Sequence, residues 1–386
     1  MLQPSLPRRR AKPPGAALRQ SKRIDMRVLV LLILLLLAGL VALFSASYYN
    51  FQDSGDAYAK VRQQAYGIAL GTVALVVLSR MDYHLFRKPW VILSMLVASA
   101  ILLVLVVIPG IGVLANGSRR WLNLGGMSFQ PSEFAKFAMI LYMANALTNK
   151  GMGIRKLFTG IVPVLIAPGL MFLLILEQPN LSTAGSILIV AFVMVAIAGA
   201  KVKHLGLLGI CGAVLGAFYA WSEPYRRERL LSFRDPFAQM SDEGYQLSQS
   251  LIAFGSGGLF GMGLGQGRQK TAYLPYPESD FIFASIAEDF GLFGCMVVVA
   301  LFLAFVYTGL RVALRCPDKF GCLLAAGITA MIGIQAFLNM GVVVGILPTT
   351  GLPLPFFSAG GTSVSIFMAA VGVLLSISRE DEMRVE

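Results

Sequence analysis

Apolar runs of membrane-crossing length, separated by short polar or charged breaks, fill most of the chain. A spanning helix needs about 20 mostly apolar residues, because hydrocarbon offers its backbone N–H and C=O groups no outside partner. Runs of this kind lie near 28–47, 63–79, 89–109, 131–148, 157–176, 182–200, 205–222, 281–310, 320–344 and 360–378. They predict an all-α polytopic membrane protein with ten transmembrane helices. Phe320 to Ser378 carries no charge yet is too long for one helix, and Pro348, Pro353 and Pro355 divide it in two. The fourth run is the most polar, with Glu133 and Lys136 in its first turns. The domain plan that follows is a basic tail over 1–26 and one membrane domain over 27–386, whose largest polar interruption is an outer loop over 223–280.

Charge orients this plan. Cytoplasmic loops are enriched in Lys and Arg. With the N-terminus inside, most of the 32 Lys and Arg residues fall in segments on the cytoplasmic side, and both termini are expected there. Ser45-Ala46-Ser47 after the first apolar run raises a cleaved signal peptide as an alternative; the long basic segment and the length of the run favour a retained helix. The composition agrees with lipid as the solvent: 56% hydrophobic and 13% charged, with a mean hydropathy of +0.73. A soluble enzyme is thereby excluded, and four cysteines in 386 residues make no disulfide framework. The net charge of +12 needs another partner than nucleic acid, since the basic tail lacks aromatic interleaving or a binding motif.

Sorting residues by side narrows the chemistry. His84, His204 and Cys316 fall in cytoplasmic loops, and Cys211, Cys295 and Cys322 in helices or at their ends. An outer zinc site of ordinary ligands, a Ser-His-Asp triad and a Cys nucleophile are therefore not expected, which leaves carboxylates, Tyr or Lys for acid–base work. Asp280 stands where the outer loop enters the eighth span. Partial desolvation there would suit a general base, and an N-cap is the competing role. Glu133 and Lys136, spaced i, i+3, either form a structural ion pair or steer a substrate group. Arg119, Arg120, Arg268 and Lys270 run against the topological charge bias and suit an anionic ligand such as a lipid phosphate or pyrophosphate, while Arg226, Arg227, Arg229 and Arg234 read as a solvated loop. Gly255 to Gly267 holds seven glycines in neither a dinucleotide nor a Walker spacing, and reads either as a hinge or close helix contact or as backbone approaching a ligand. Glu288 and Asp289 read as polar packing.

Five separated segments carry a family resemblance: Asn116-Gly-Ser-Arg-Arg-Trp-Leu122, Gln130-Pro-Ser-Glu-Phe-Ala-Lys136, Tyr245 to Gly261, Tyr273-Leu-Pro275 with Asp280-Phe-Ile-Phe283, and Leu347 to Ser358. Together they resemble the SEDS family (shape, elongation, division and sporulation), and their wording is more similar to its division and sporulation branches than to its elongation branch. The resemblance implies ten helices and a peptidoglycan glycosyltransferase that polymerises lipid II at the outer face of the bacterial cytoplasmic membrane, at the septum during division. It also implies a class B penicillin-binding transpeptidase and other division proteins as partners. Asp280 matches the family's essential loop aspartate, and Arg120, Trp121, Glu133 and Lys136 match further motif positions. No cofactor is called for, and a divalent cation is left open. Two positions depart from the family pattern: Asn180 stands where a carboxylate is usual, and Ala359 where a tyrosine is. A lipid-linked precursor flippase and a non-catalytic division scaffold are the competing classes; transport would favour internal repeats and a midplane polar site.

Overall fold

The computed structural model describes residues 24–380 except 53–55, 116, 125–126, 223–226, 229–231 and 239–243. The basic tail up to residue 23 and Arg226 and Arg229 of the outer loop thus lie outside the described residues. The helices are α1 (Met26–Gln52), α2 (Ala59–Arg80), α3 (Pro89–Leu105), α4 (Pro131–Lys150), α5 (Val162–Leu176), α6 (Leu181–Ile197), α7 (Val202–Trp221), α8 (Tyr245–Gly257), α9 (Ile282–Arg315), α10 (Lys319–Val343) and α11 (Gly361–Ser378). By length and composition, seven helical stretches among the described residues can each cross a membrane, and Pro89–Leu105 and Leu181–Ile197 are shorter apolar helices. This is the helical complement of a multi-pass membrane protein. α8 is the amphipathic segment expected in the outer loop, with Leu247 and Ala253 buried.

The centre of the bundle is α10 and α11, which bury most of their length against α2, α4, α6 and α9. Small residues allow the closest approach. A Cβ on Gly67 of α2 would fall 2.1 Å from the Gly361 carbonyl oxygen, so these two backbones touch. At the other extreme α7 has no buried residue in its apolar window.

Two features add detail to the helical bundle that hydropathy predicts. A three-stranded antiparallel sheet, β1 (Gly112–Ala115), β2 (Ser118–Leu124) and β3 (Met127–Phe129), sits between α3 and α4. Its β2 strand carries Arg119, Arg120 and Trp121. Second, α9 is two helices joined at Gly291, whose backbone (φ 64, ψ −163) is non-helical. The glycine-rich run satisfies the break. Met262 N–H donates to Glu288 O and Gly263 N–H to Asp289 O (2.9 and 3.0 Å), while Leu292 and Phe293 N–H donate to Gly258 O and Leu259 O (2.9 and 3.1 Å). Of the two readings of the run, close helix contact is the one this geometry supports.

Candidate active site

Asp280 lies just before α9, in the turn that follows the Tyr273-Leu-Pro275 segment. It does not cap the helix: the capping position is Phe281, with no side-chain hydrogen bond. The side chain is half-buried, and its Oδ1 accepts from Ser279 Oγ at 3.1 Å. Its other oxygen lies 3.3 Å from where a Cβ on Gly351 would be, so the carboxylate packs against the proline-rich loop at a residue whose φ of +71° favours glycine. Asn339 of α10 donates from Nδ2 to the Asp280 backbone oxygen and to Leu352 O, both at 2.7 Å. Ser358 Oγ donates to Ser279 O (2.7 Å) and accepts from Leu354 N–H (2.8 Å). The loop aspartate and the proline-rich loop are therefore held as one unit.

Beside this unit is a pocket of about 400 Å³ lined by Thr271, Tyr273, Leu274, Pro275, Tyr276 and Glu278. Tyr276 at its rim has φ +51°, a left-handed conformation rare outside glycine, which places strain next to the pocket. Glu278 is 5% exposed. Burial pushes its carboxyl above the usual carboxylate range; a hydrogen bond with its own backbone and the Lys60 charge oppose the rise, and the Asp280 charge adds to it. Two carboxyls thus share this corner, one of them poorly solvated.

A second polar group penetrates the bundle. Lys136 Nζ donates to Glu133 Oε1 at 2.8 Å and to Gln335 Oε1, and both members of the ion pair are 1% exposed. Gln335 Nε2 in turn donates to Pro353 O at 3.0 Å. Gln335 and Asn339 are one turn apart on α10, so a single helix face links the Glu133–Lys136 pair to Asp280 through the proline-rich loop. Glu133 Oε2, Ser132 Oγ and Asn339 Oδ1 are buried without a protein hydrogen bond among the described residues, leaving acceptors and a hydroxyl for a ligand.

Arg120 reaches from the sheet to the turn between α5 and α6. Its Nε donates to Gln178 O at 3.1 Å and its Nη2 to Pro179 O. Ser182, at the start of α6, donates to Thr350 O. Asn180 caps α6, its Oδ1 accepting from Thr183 N–H at 3.3 Å, so at the first position that departs from the family pattern the amide serves the fold. Ala359 contributes its N–H, which donates to Glu278 O at 2.8 Å. Trp121 is half-buried on β2 opposite Val113, and Arg119 is half-buried with no hydrogen-bond partner for its Nε among the described residues.

Lys270 is placed elsewhere. Its Nζ is paired with Asp289 and donates to Ser45 Oγ at 2.7 Å; the side chain is 1% exposed. Glu288 accepts Gln269 and Lys270 N–H at 2.8 and 3.2 Å. This buried cluster joins α1, the loop and the upper half of α9 and leaves the Lys270 charge turned away from solvent. Arg268 is exposed, with no side-chain partner among the described residues. The structure therefore gathers Asp280, Glu133 and Lys136 around the proline-rich loop, adds Gln335, Asn339 and Glu278, ties Arg120 to the α5–α6 turn that meets this loop through Ser182, and separates Lys270 from them. Neutral amides within an apolar span resemble ordinary packing residues; the only sequence signal for Gln335 and Asn339 was their i, i+4 spacing.

Among known families, the chain matches the FtsW/RodA/SpoVE family, described as cell cycle proteins, over residues 26–383. It is 42% identical over 359 residues to stage V sporulation protein E of Bacillus subtilis, covering 92% of this chain and 97% of that protein. It is 39% identical over 365 residues to the probable peptidoglycan glycosyltransferase FtsW of Geobacter sulfurreducens, covering 94% and 97%. Among solved structures, it resembles a chain of a peptidoglycan synthase complex described as coordinating polymerization and crosslinking, with TM-score 0.75, 28% identity, and 92% and 98% of the two chains covered. The rod shape determining protein RodA of Thermus thermophilus matches with TM-score 0.66 and 27% identity over 93% and 97%.

Proposed function

Because the chain belongs to the FtsW/RodA/SpoVE family of cell cycle proteins, we propose that it is a peptidoglycan glycosyltransferase of the cell membrane that polymerises lipid II, with a class B penicillin-binding transpeptidase as partner at the division septum. The observation that carries this reading is the Asp280 carboxylate, half-buried against Gly351 and anchored through Asn339 beside an open pocket.

Asp280 is the general base in this proposal. It takes the proton of an acceptor sugar 4-hydroxyl as that oxygen attacks the anomeric carbon of the donor; the carbon–oxygen bond to pyrophosphate breaks and lipid pyrophosphate departs, with inversion at the anomeric carbon. The leaving group carries its own charge, so no protein acid is required, in contrast to the two carboxyls of a glycosidase. Arg120 and Lys136 contribute positive potential near the loop, where negative charge develops on pyrophosphate. Arg119 and the exposed Arg268 are the further cations within this reading, Glu133 sets the position of Lys136, and Trp121 offers a face for sugar or lipid. Lys270, bonded to Ser45 and Asp289 and away from the proline-rich loop, is assigned to the scaffold.

The test is polymerisation of purified lipid II by the detergent-solubilised protein, with and without the partner transpeptidase. Asp280→Asn, correctly inserted, is expected to lose at least about 100-fold in rate, the scale of a lost general base. Full activity in that variant would remove the base assignment. A protein that never polymerises lipid II, even with its partner, would instead be a transporter or a scaffold.

A further inference from the structure

Away from the site just described, a groove of about 900 Å³ opens between α1, α2 and α11 at the end of the bundle that carries Ile24 and Arg379. That size is within the roughly 300–1,000 Å³ of built ligand sites. Its lining is graded along the helix axes. Arg27, Arg80 and Arg379 stand at the mouth, and the interior is apolar as far as Leu36 on α1, Thr72 on α2 and Met368 on α11. At 1.5 Å per residue, the groove runs about 18 Å along α1 and about 16 Å along α11. Half the hydrocarbon thickness of a bilayer is about 15 Å, so the groove is one leaflet deep.

The charges at the mouth are not consumed by the protein in equal measure. Arg379 Nη1 donates to Ser79 O (3.2 Å) and Arg80 O (3.4 Å), which finishes the last turn of α2. Arg27 and Arg80 are exposed, and neither guanidinium has a hydrogen-bond or ion-pair partner among the described residues. The one carboxylate in the lining, Asp25, is 8% exposed and accepts from Arg27 N–H at 2.9 Å. Topological charge bias accounts for arginines at a membrane surface. It does not account for their placement at the open end of an apolar groove.

We infer that this groove holds one anionic diacyl phospholipid of the adjacent leaflet, with its phosphate between Arg27 and Arg80 and one acyl chain lying between α1 and α11. The inference rests on the chain lying in a bilayer and is independent of the polymerase reading. A zwitterionic lipid would fill the same apolar space but carries a choline or ethanolamine cation that the arginines repel.

The test is native mass spectrometry of the full chain taken from nanodiscs that contain phosphatidylglycerol and phosphatidylcholine with identical acyl chains in equal amounts. One phosphatidylglycerol per protein is expected to be retained, enriched at least about fivefold, the effect of a single basic residue near an anionic membrane surface. In Arg27→Gln with Arg80→Gln the enrichment should fall to about unity. Val76→Trp, which fills the groove and keeps both arginines, should also abolish retention. Equal retention of the two lipids by the unmodified protein overturns the inference, as does retention unchanged in either variant. Enrichment seen only after removal of residues 1–22 would give the groove to the chain's own basic segment and overturn it as well.

Discussion

At the scale of single residues, the buried Lys270–Asp289 pair can be separated from the chemistry by substitution. Lys270 and Asp289 are each 1% exposed, and removing one partner strands the other charge. Lys270→Met is expected to cost about 3–5 kcal/mol. Lys270→Met combined with Asp289→Leu should recover most of that loss and retain polymerase activity, read by thermal unfolding in detergent together with the lipid II assay. Retained activity in the double variant would separate a scaffold lysine from one that touches pyrophosphate. Glu278 gives a pH-dependent case. Its folded-state pKa is raised above the ordinary 4.5 by burial first, so the folded protein holds that proton more tightly than the unfolded chain. Stability from this group is present in full below pH 4.5 and is lost as the pH rises through the raised value. Glu278→Gln removes the loss. Its Tm should exceed the parent's at pH 7, and the two should converge below pH 4.5.

Among the elements, the broken α9 and the glycine-rich run depend on each other, and glycines of one helix can be sorted by what surrounds them. A Cβ on Gly257 would sit 2.0 Å from the Ala287 carbonyl oxygen, whereas one on Gly255 would meet nothing within 4 Å. Gly257→Ala must therefore push α8 off α9. It is expected to lower Tm and activity together, while Gly255→Ala should be neutral or stabilising by up to about 1 kcal/mol through helix propensity. The same elements show what the sequence could and could not reveal. Hydropathy located the helical runs because a lipid-facing segment must be apolar along its whole length. The three strands were hidden, since β1 and β3 are four and three residues long, and the two arginines of β2 obscure its alternation. The break at Gly291 was invisible for a different reason: a long apolar run reads as one helix when its missing backbone hydrogen bonds are supplied from a distant loop. Glu133 and Lys136 could be singled out because a charge at membrane depth is costly, Arg120 because it runs against the topological charge bias, and Asp280 because it stands where the outer loop enters a span. Gln335 and Asn339 carry no such penalty, and their role emerged only from the backbone oxygens they reach. Asn339→Ala removes the donor that ties the Asp280 and Leu352 carbonyls together and should slow polymerisation about tenfold or more, through the precision of positioning, with less change in Tm than Gly257→Ala.

On the scale of the whole molecule, the gathered site and the lipid groove occupy opposite ends of the bundle. Asp280 is met by the end of α10 that contains Asn339 and by the start of α11, whereas Arg379 and Ile24 mark the end where α11 finishes and α1 begins. The lysine and arginine distribution argues for the second end as the cytoplasmic one, and in that proposed orientation the site faces outward, where a lipid-linked glycan donor would be consumed. This orientation can be tested with two exposed residues from loops at the two ends: Phe260, 82% exposed in the glycine-rich run, and Met152, 77% exposed between α4 and α5. In a variant lacking the four native cysteines, Phe260→Cys should react with a membrane-impermeant maleimide in intact spheroplasts, and Met152→Cys only after permeabilisation. The reverse pattern would put Asp280 on the cytoplasmic side, where the same carboxylate could not act on an acceptor strand outside the membrane. The location of the site, and with it the proposed reaction, thus depends on a charge asymmetry that contributes no residue to the chemistry.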